Sequence, residues 1–99
     1  MTNSVIPTEE RLIVLSGGRK VSEDFYRTVQ RQVVEYIPKL QFDREYKSQD
    51  LIDPLLWDAS DKQLHILIGK CVAHLVANGK VALAFVGCPR CNNKRYVRI

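Results

Sequence analysis

Residues 61 to 77 constrain this 99-residue chain more than any other stretch. Ser60-Asp61-Lys62-Gln63 reads as a capping box in which Ser60 and Gln63 satisfy orphan amides reciprocally, and Asn78-Gly79 supplies a left-handed terminus. Together they predict a helix from about Asp61 to about Ala77. At about 100° per residue, Leu64, Leu67, Ile68, Cys71 and Leu75 share one face. The opposite face carries Lys62, Ile66, Gly69, Ala73 and Ala77, flanked by His65 and Lys70. Such a helix is apolar nearly all round, so it has to be covered on both sides. A chain of this length forms one core and not two, and the remaining elements must supply that cover.

The expected order follows from local signals. Residues 1 to 10 read as a flexible arm, and residues 11 to 99 as a single domain. Leu12-Ile13-Val14-Leu15 is a short strand or a docked segment, stopped by Ser16-Gly17-Gly18. Gly17-Gly18-Arg19-Lys20 superficially resembles a phosphate loop, but it lacks the second glycine with Lys-Ser/Thr, and a turn accounts for it. From Ser22 the pattern is helical, with Phe25, Val29, Val33 and Ile37 recurring until Pro38. Residues 39 to 47 read as a connector or short extended piece. Ser48 is expected to cap a short helix carrying Leu51, Ile52, Leu55 and Leu56, with Pro54 near its first turn. After the long helix, residues 81 to 86 and 95 to 99 are strand-like and should pair as a hairpin across a turn with Pro89, Asn92 and Asn93. The expected core is Phe25, Val29, Val33, Leu51, Leu55, Trp57, Leu64, Ile68, Leu75, Leu83 and Phe85.

The fold class is therefore α+β, with three helices, a C-terminal β-hairpin and a short strand near the N-terminus. This order, with Leu51 through Trp57, Ile68-Gly69, Leu75-Val76, Gly79 and Tyr96, resembles small winged helix-turn-helix domains of bacterial and prophage genes. The resemblance covers about residues 48 to 99 and implies a winged-helix fold with a regulatory or nucleic-acid role. Cys88-Pro89-Arg90-Cys91 in the wing departs from that pattern.

The net charge of +4 is unevenly divided. Arg11, Arg19, Lys20, Arg27, Arg31, Lys39, Arg44 and Lys47 face all eleven acids in residues 1 to 61, whereas residues 62 to 99 hold seven basic residues and no acid. That asymmetry creates a field attractive to polyanions or to an acidic protein. The exposed face of the long helix offers none of the Arg, Asn or Gln side chains that read base edges in paired hydrogen bonds, which disfavours sequence-specific readout by it. Lys62, Lys70, Arg90, Asn92, Asn93, Lys94, Arg95 and Arg98 are the candidate nucleic-acid-binding residues, concentrated in the hairpin. A solvated hairpin edge guarded by Lys and Arg explains the same residues without a ligand.

Three cysteines, an odd number, fit reduced thiols in the cytoplasm better than a secreted disulfide framework. Cys71, His74, Cys88 and Cys91 form a Cys-x2-His-x13-Cys-x2-Cys spacing compatible with structural zinc. Against it, Cys71 falls on the apolar stripe and is explained as a small buried hydrophobe, and inert thiols without a cofactor are the favoured reading. No Ser, Asp or Glu stands where it would make His65 a catalytic base, and Trp57 reads as a core anchor. The sequence thus points to a non-enzymatic regulatory domain that binds nucleic acid through its basic wing. A phage-type module aimed at a host protein is the alternative, and a small zinc-binding domain the second. No stretch reaches the roughly 18 apolar residues that span a bilayer. A monomer is favoured over a homodimer, on the expectation that Leu12 to Leu15 cover the Ile66, Gly69, Ala73 and Ala77 face.

Overall fold

Capping chemistry starts the first long helix where expected. In a computed structural model that describes residues 11–87 and 94–99, the Ser22 hydroxyl accepts the Phe25 N–H at 3.1 Å and opens α1, Glu23–Tyr36. Glu23 and Asp24 complement the positive first turn. The inward stripe is Tyr26, Val29 and Val33: Val29 and Val33 are buried as expected, and Tyr26 takes the first inward place from Phe25, which is only half-buried. A 3-10 turn over Ile37–Lys39 carries Pro38 and leads to buried Leu40.

Ahead of α1, β1 (Leu12–Val14) and β2 (Lys20–Ser22) pair antiparallel, with Leu12 opposite Ser22 and Val14 opposite Lys20. Gly17 and Gly18 make the connection at φ values of 82° and 80°, a conformation that side chains with a Cβ rarely adopt. The glycine pair therefore joins two strands, as the turn reading requires.

The charged connector contains a strand of its own. β3 (Glu45–Tyr46), β4 (Leu83–Val86) and β5 (Arg95–Arg98) form an antiparallel sheet in the order β3-β5-β4. The hairpin pairing of β4 with β5 agrees with the sequence reading, and Tyr46, Tyr96 and Phe85 stand in one row across the three strands. Directly opposed residues share a face. The Phe85 and Tyr96 rings lie 5.5 Å apart.

Ser48 does not cap the second helix. It begins a 3-10 turn over Ser48–Leu51, Ile52 is extended, and a separate short helix α2 spans Pro54–Asp58. Proline has no N–H and disfavours helical backbone in the residue before it, so one helix cannot run through Asp53-Pro54. Asp53 caps α2 instead, its carboxylate accepting from the Leu55 N–H at 2.9 Å, while its own N–H donates to Gln32 Oε1 on α1 at 3.0 Å. The break buries Leu51 and Ile52 and turns Leu55 outward at 80% exposure, which removes Leu55 from the expected core.

α3, Lys62–Ala77, runs as predicted, but its cap is Asp61, which accepts the Leu64 N–H at 2.9 Å. Ser60 instead donates from its hydroxyl to the Leu56 carbonyl at 2.7 Å, closing the preceding helix. Gly79, at φ 65°, ends the element. Ile68, Cys71, Val72, Leu75 and Val76 on α3 join Val29, Val33, Leu51, Leu83 and Tyr96 in one core, with Phe25, Trp57, Leu64 and Phe85 packed half-buried at its margin. The fold is thus mixed α+β, with three α-helices and two small antiparallel sheets among the described residues. Among the described residues no helix is long and apolar enough to cross a membrane. The expected arm at residues 1–10 lies outside the described residues.

Candidate nucleic-acid interface

The two arginines of β5 are engaged within the fold. Arg95 Nη1 lies 3.3 Å from Glu45 Oε1 on the neighbouring strand. Arg98 donates through Nη1 to the Leu40 carbonyl at 3.0 Å and more weakly to that of Pro38 at 3.4 Å, and its guanidinium sits 4.3 Å from the centre of the Phe42 ring. Arg98 therefore ties the end of the sheet to the loop after α1. Lys62 is exposed at the start of α3, away from these contacts. Arg90, Asn92 and Asn93 lie outside the described residues, as do Cys88 and Cys91.

Two of the expected lysines meet elsewhere. A cleft of about 590 Å³ opens between the 3-10 turn after β3, the C-terminal end of α2, one side of α3 and the start of β5. Lys47, Ser48 and Gln49 form one wall, and His65, Ile66, Gly69, Lys70 and Ala73 the other. Those α3 positions follow the helical period, which brings them to one side. Tyr96 on β5 and Lys94 just before it close the cleft on another side, and Trp57 closes it from α2. Lys47, Lys70 and Lys94 are the charged residues lining it, with no carboxylate among the described lining residues. Such a cleft focuses positive potential. The small residues of α3, expected to face the N-terminal strand, face the Ser48 turn: a Cβ built on Gly69 would stand 3.8 Å from the Ser48 hydroxyl.

One end of the cleft carries an aromatic stack. The Trp57 and His65 rings lie parallel within 2° at a centroid separation of 3.9 Å. His65 Nε2 contacts the Trp57 carbonyl oxygen at 2.7 Å. A carbonyl only accepts, so Nε2 is the protonated nitrogen and Nδ1 is left as an acceptor in the neutral ring. The bond spans the α2–α3 junction and fixes the His65 ring against the Trp57 backbone.

The floor carries an unusual polar group. Tyr96 is wholly buried, yet its hydroxyl has no hydrogen-bond partner among the described residues. Ser48 lies beside it without completing a bond, and burial pushes the phenol up to about 12, so it stays protonated at neutral pH. Leaving such a group unsatisfied costs about 1–3 kcal/mol.

Of the residues in the zinc spacing, Cys71 and His74 are described and Cys88 and Cys91 are not. Cys71 is fully buried, and burial raises its thiol to about 12. His74 Nδ1 is 2.6 Å from the Tyr26 hydroxyl. Among the described residues no group of three or more His, Cys, Asp or Glu side chains is placed to hold a metal.

Of the residues expected from the sequence, Lys70 and Lys94 line this cleft; Lys47, the ring stack and Tyr96 were not among them. Lys47 stands in a connector without periodicity. Trp57 and His65 are brought together by a helix junction that no spacing rule anticipates. Tyr96 had a signal in the alternation of β5, whose inward position it occupies. Compared with protein-family models, curated proteins and solved structures, the chain matches none.

Proposed function

We propose that this chain is a non-enzymatic regulatory domain of the cytoplasm that binds nucleic acid, with its contact surface in the lysine cleft and not along the arginines of the hairpin. The convergence of Lys47, Lys70 and Lys94 on one concave surface, with no carboxylate among its described lining residues, carries the reading. Arg95 and Arg98 are committed to Glu45 and to backbone carbonyls, which reduces what they offer a phosphate. A winged-helix arrangement is supported by the hairpin that follows α3 directly; the β1–β2 sheet is an addition to that pattern. α3 lies against the Ser48 turn and the core, so it is not free to enter a major groove and read bases. Binding is then governed by phosphate contacts, which position a ligand without specifying its sequence.

Mobility shift against salt concentration tests the proposal. Lys47→Gln, Lys70→Gln and Lys94→Gln combined should lower the slope of log affinity against log salt by roughly 2, since each lost contact removes about 0.7–0.9. Arg98→Gln should leave that slope unchanged and lower stability instead. Absence of any shift with single-stranded or duplex DNA at about 50 mM salt overturns the reading.

A protein partner is the second reading, favoured by Leu55 at 80% and Leu56 at 38% exposure on α2. Retention of partners from a nuclease-treated bacterial lysate, lost in Leu55→Ser, would select it.

A further inference from the structure

The cleft is concave and bounded, whereas a duplex presents a broad convex surface. Its volume of about 590 Å³ lies in the range of sites that enclose a small ligand. Three features within it call for different parts of one ligand. The lysines call for an anion. The parallel Trp57–His65 pair offers a flat platform, and bases stack on such rings whatever their sequence. Tyr96, whose buried hydroxyl has no partner among the described residues, lines the floor with Ser48. A phosphate alone uses only the first feature, and an apolar peptide only the second.

Resting on the nucleic-acid reading above, we infer that the cleft seats one unpaired nucleotide of a single strand, its base extending the Trp57–His65 stack, its phosphate held by Lys47, Lys70 and Lys94, and its polar edge meeting the Ser48 and Tyr96 hydroxyls. A base held in a duplex cannot reach this floor without leaving its stack. The domain accordingly selects single strands, ends or loops over paired DNA. The strand outside the cleft contributes through its backbone charge, and the seated nucleotide supplies the preference. His65 acts mainly by positioning: its bond to the Trp57 backbone carbonyl fixes the His65 half of the platform before the base arrives.

Trp57 is the chain's only tryptophan, so its emission reports on this site directly. Titration of the intact protein with an oligothymidylate of about 12 nucleotides at about 50 mM salt should quench that emission saturably. A blunt duplex should bind more weakly, without quenching. Lys70→Gln with Lys94→Gln, both at half-exposed positions, should weaken the oligonucleotide at least tenfold. Tyr96→Phe removes only a hydroxyl that has no partner among the described residues: affinity should fall about tenfold while the Tm holds or rises, a combination that a purely structural role does not produce. Trp57→Phe, read by mobility shift, should weaken single-strand binding roughly fivefold or more. A shift with unquenched Trp57, or unaltered affinity in Tyr96→Phe and Trp57→Phe, overturns the seat and leaves the broader reading standing. No shift at all overturns both. Quenching by free thymidine monophosphate as strong as that by the oligonucleotide, at equal concentration, overturns the strand in favour of a mononucleotide.

Discussion

Tyr26 and His74 meet across the packed faces of α1 and α3, 2.6 Å from hydroxyl to Nδ1 and edge to face at 5.3 Å. The tyrosine hydroxyl can donate to an unprotonated Nδ1 or accept from a protonated one, so burial, and not this bond, is what disfavours the charged ring. Burial first, and then the Lys80 ammonium, lower the His74 pKa from 6.5. Lys80 reaches the same site, 5.3 Å from the Tyr26 ring centre, and burial raises the Tyr26 phenol. A depressed folded-state pKa makes stability fall with pH. Above about 6.5 the histidine is neutral in both states; below it the unfolded chain takes up a proton that the folded chain resists. Urea midpoints should therefore decline between about pH 7 and pH 5, and His74→Gln should flatten that decline. Equal slopes for the two proteins would show that the lowered pKa has no bearing on folding. The pair was not visible in the sequence, since Tyr26 falls one residue from the expected stripe and a helical period does not say which of two adjacent aromatics turns inward.

At the scale of elements, the passage from β3 to α3 shows where sequence signals compete. Hydrophobic spacing over Leu51, Ile52, Leu55 and Leu56 suggested one helix, whereas Asp53-Pro54 permits a cap and a new start. Local backbone chemistry prevails because a missing N–H and a clash before proline are not repaired by burial. Asp53→Ala should cost about 0.5–2 kcal/mol through loss of the cap, and Leu55→Ser should lie within about 0.5 kcal/mol of wild type, as for other exposed positions. Denaturant unfolding of the two variants decides the matter, and the reverse ranking would restore the single helix. Where signals agreed, the elements emerged as read: α1 from Ser22, α3 up to Asn78-Gly79, and the β4–β5 hairpin. The cleft between them was not legible, because it is made at junctions whose contacts depend on where α2 breaks away.

Across the whole molecule, the apolar circumference of α3 posed the problem of cover, and two segments solve it from different directions. Leu15 and Val21 of the N-terminal strands are buried in the core beside α1, while the Ser48 turn and Tyr96 stand before Gly69 and Ala73. The expected lid of Leu12 to Leu15 over the small residues of α3 is thus replaced by a closer neighbour in the chain. What stays open is Ile66, 40% exposed at the cleft, together with exposed Ala77. A lone apolar side chain is ordinary surface and does not require a second copy of the chain. The intact protein should sediment as a monomer, and Ile66→Lys should not alter it. Leu15→Ala should cost about 2–5 kcal/mol, the range for a large side chain removed from a packed core. Deleting residues 1 to 20 takes away β1 and Leu15 and uncovers the flank that meets α1, so the truncated chain should be less stable. Any association it shows should persist when Ile66→Lys is added, because the newly bared surface is not the small-residue face of α3. A dimer of the intact protein that Ile66→Lys dissolves would reverse this assignment and place α3 at a two-fold interface.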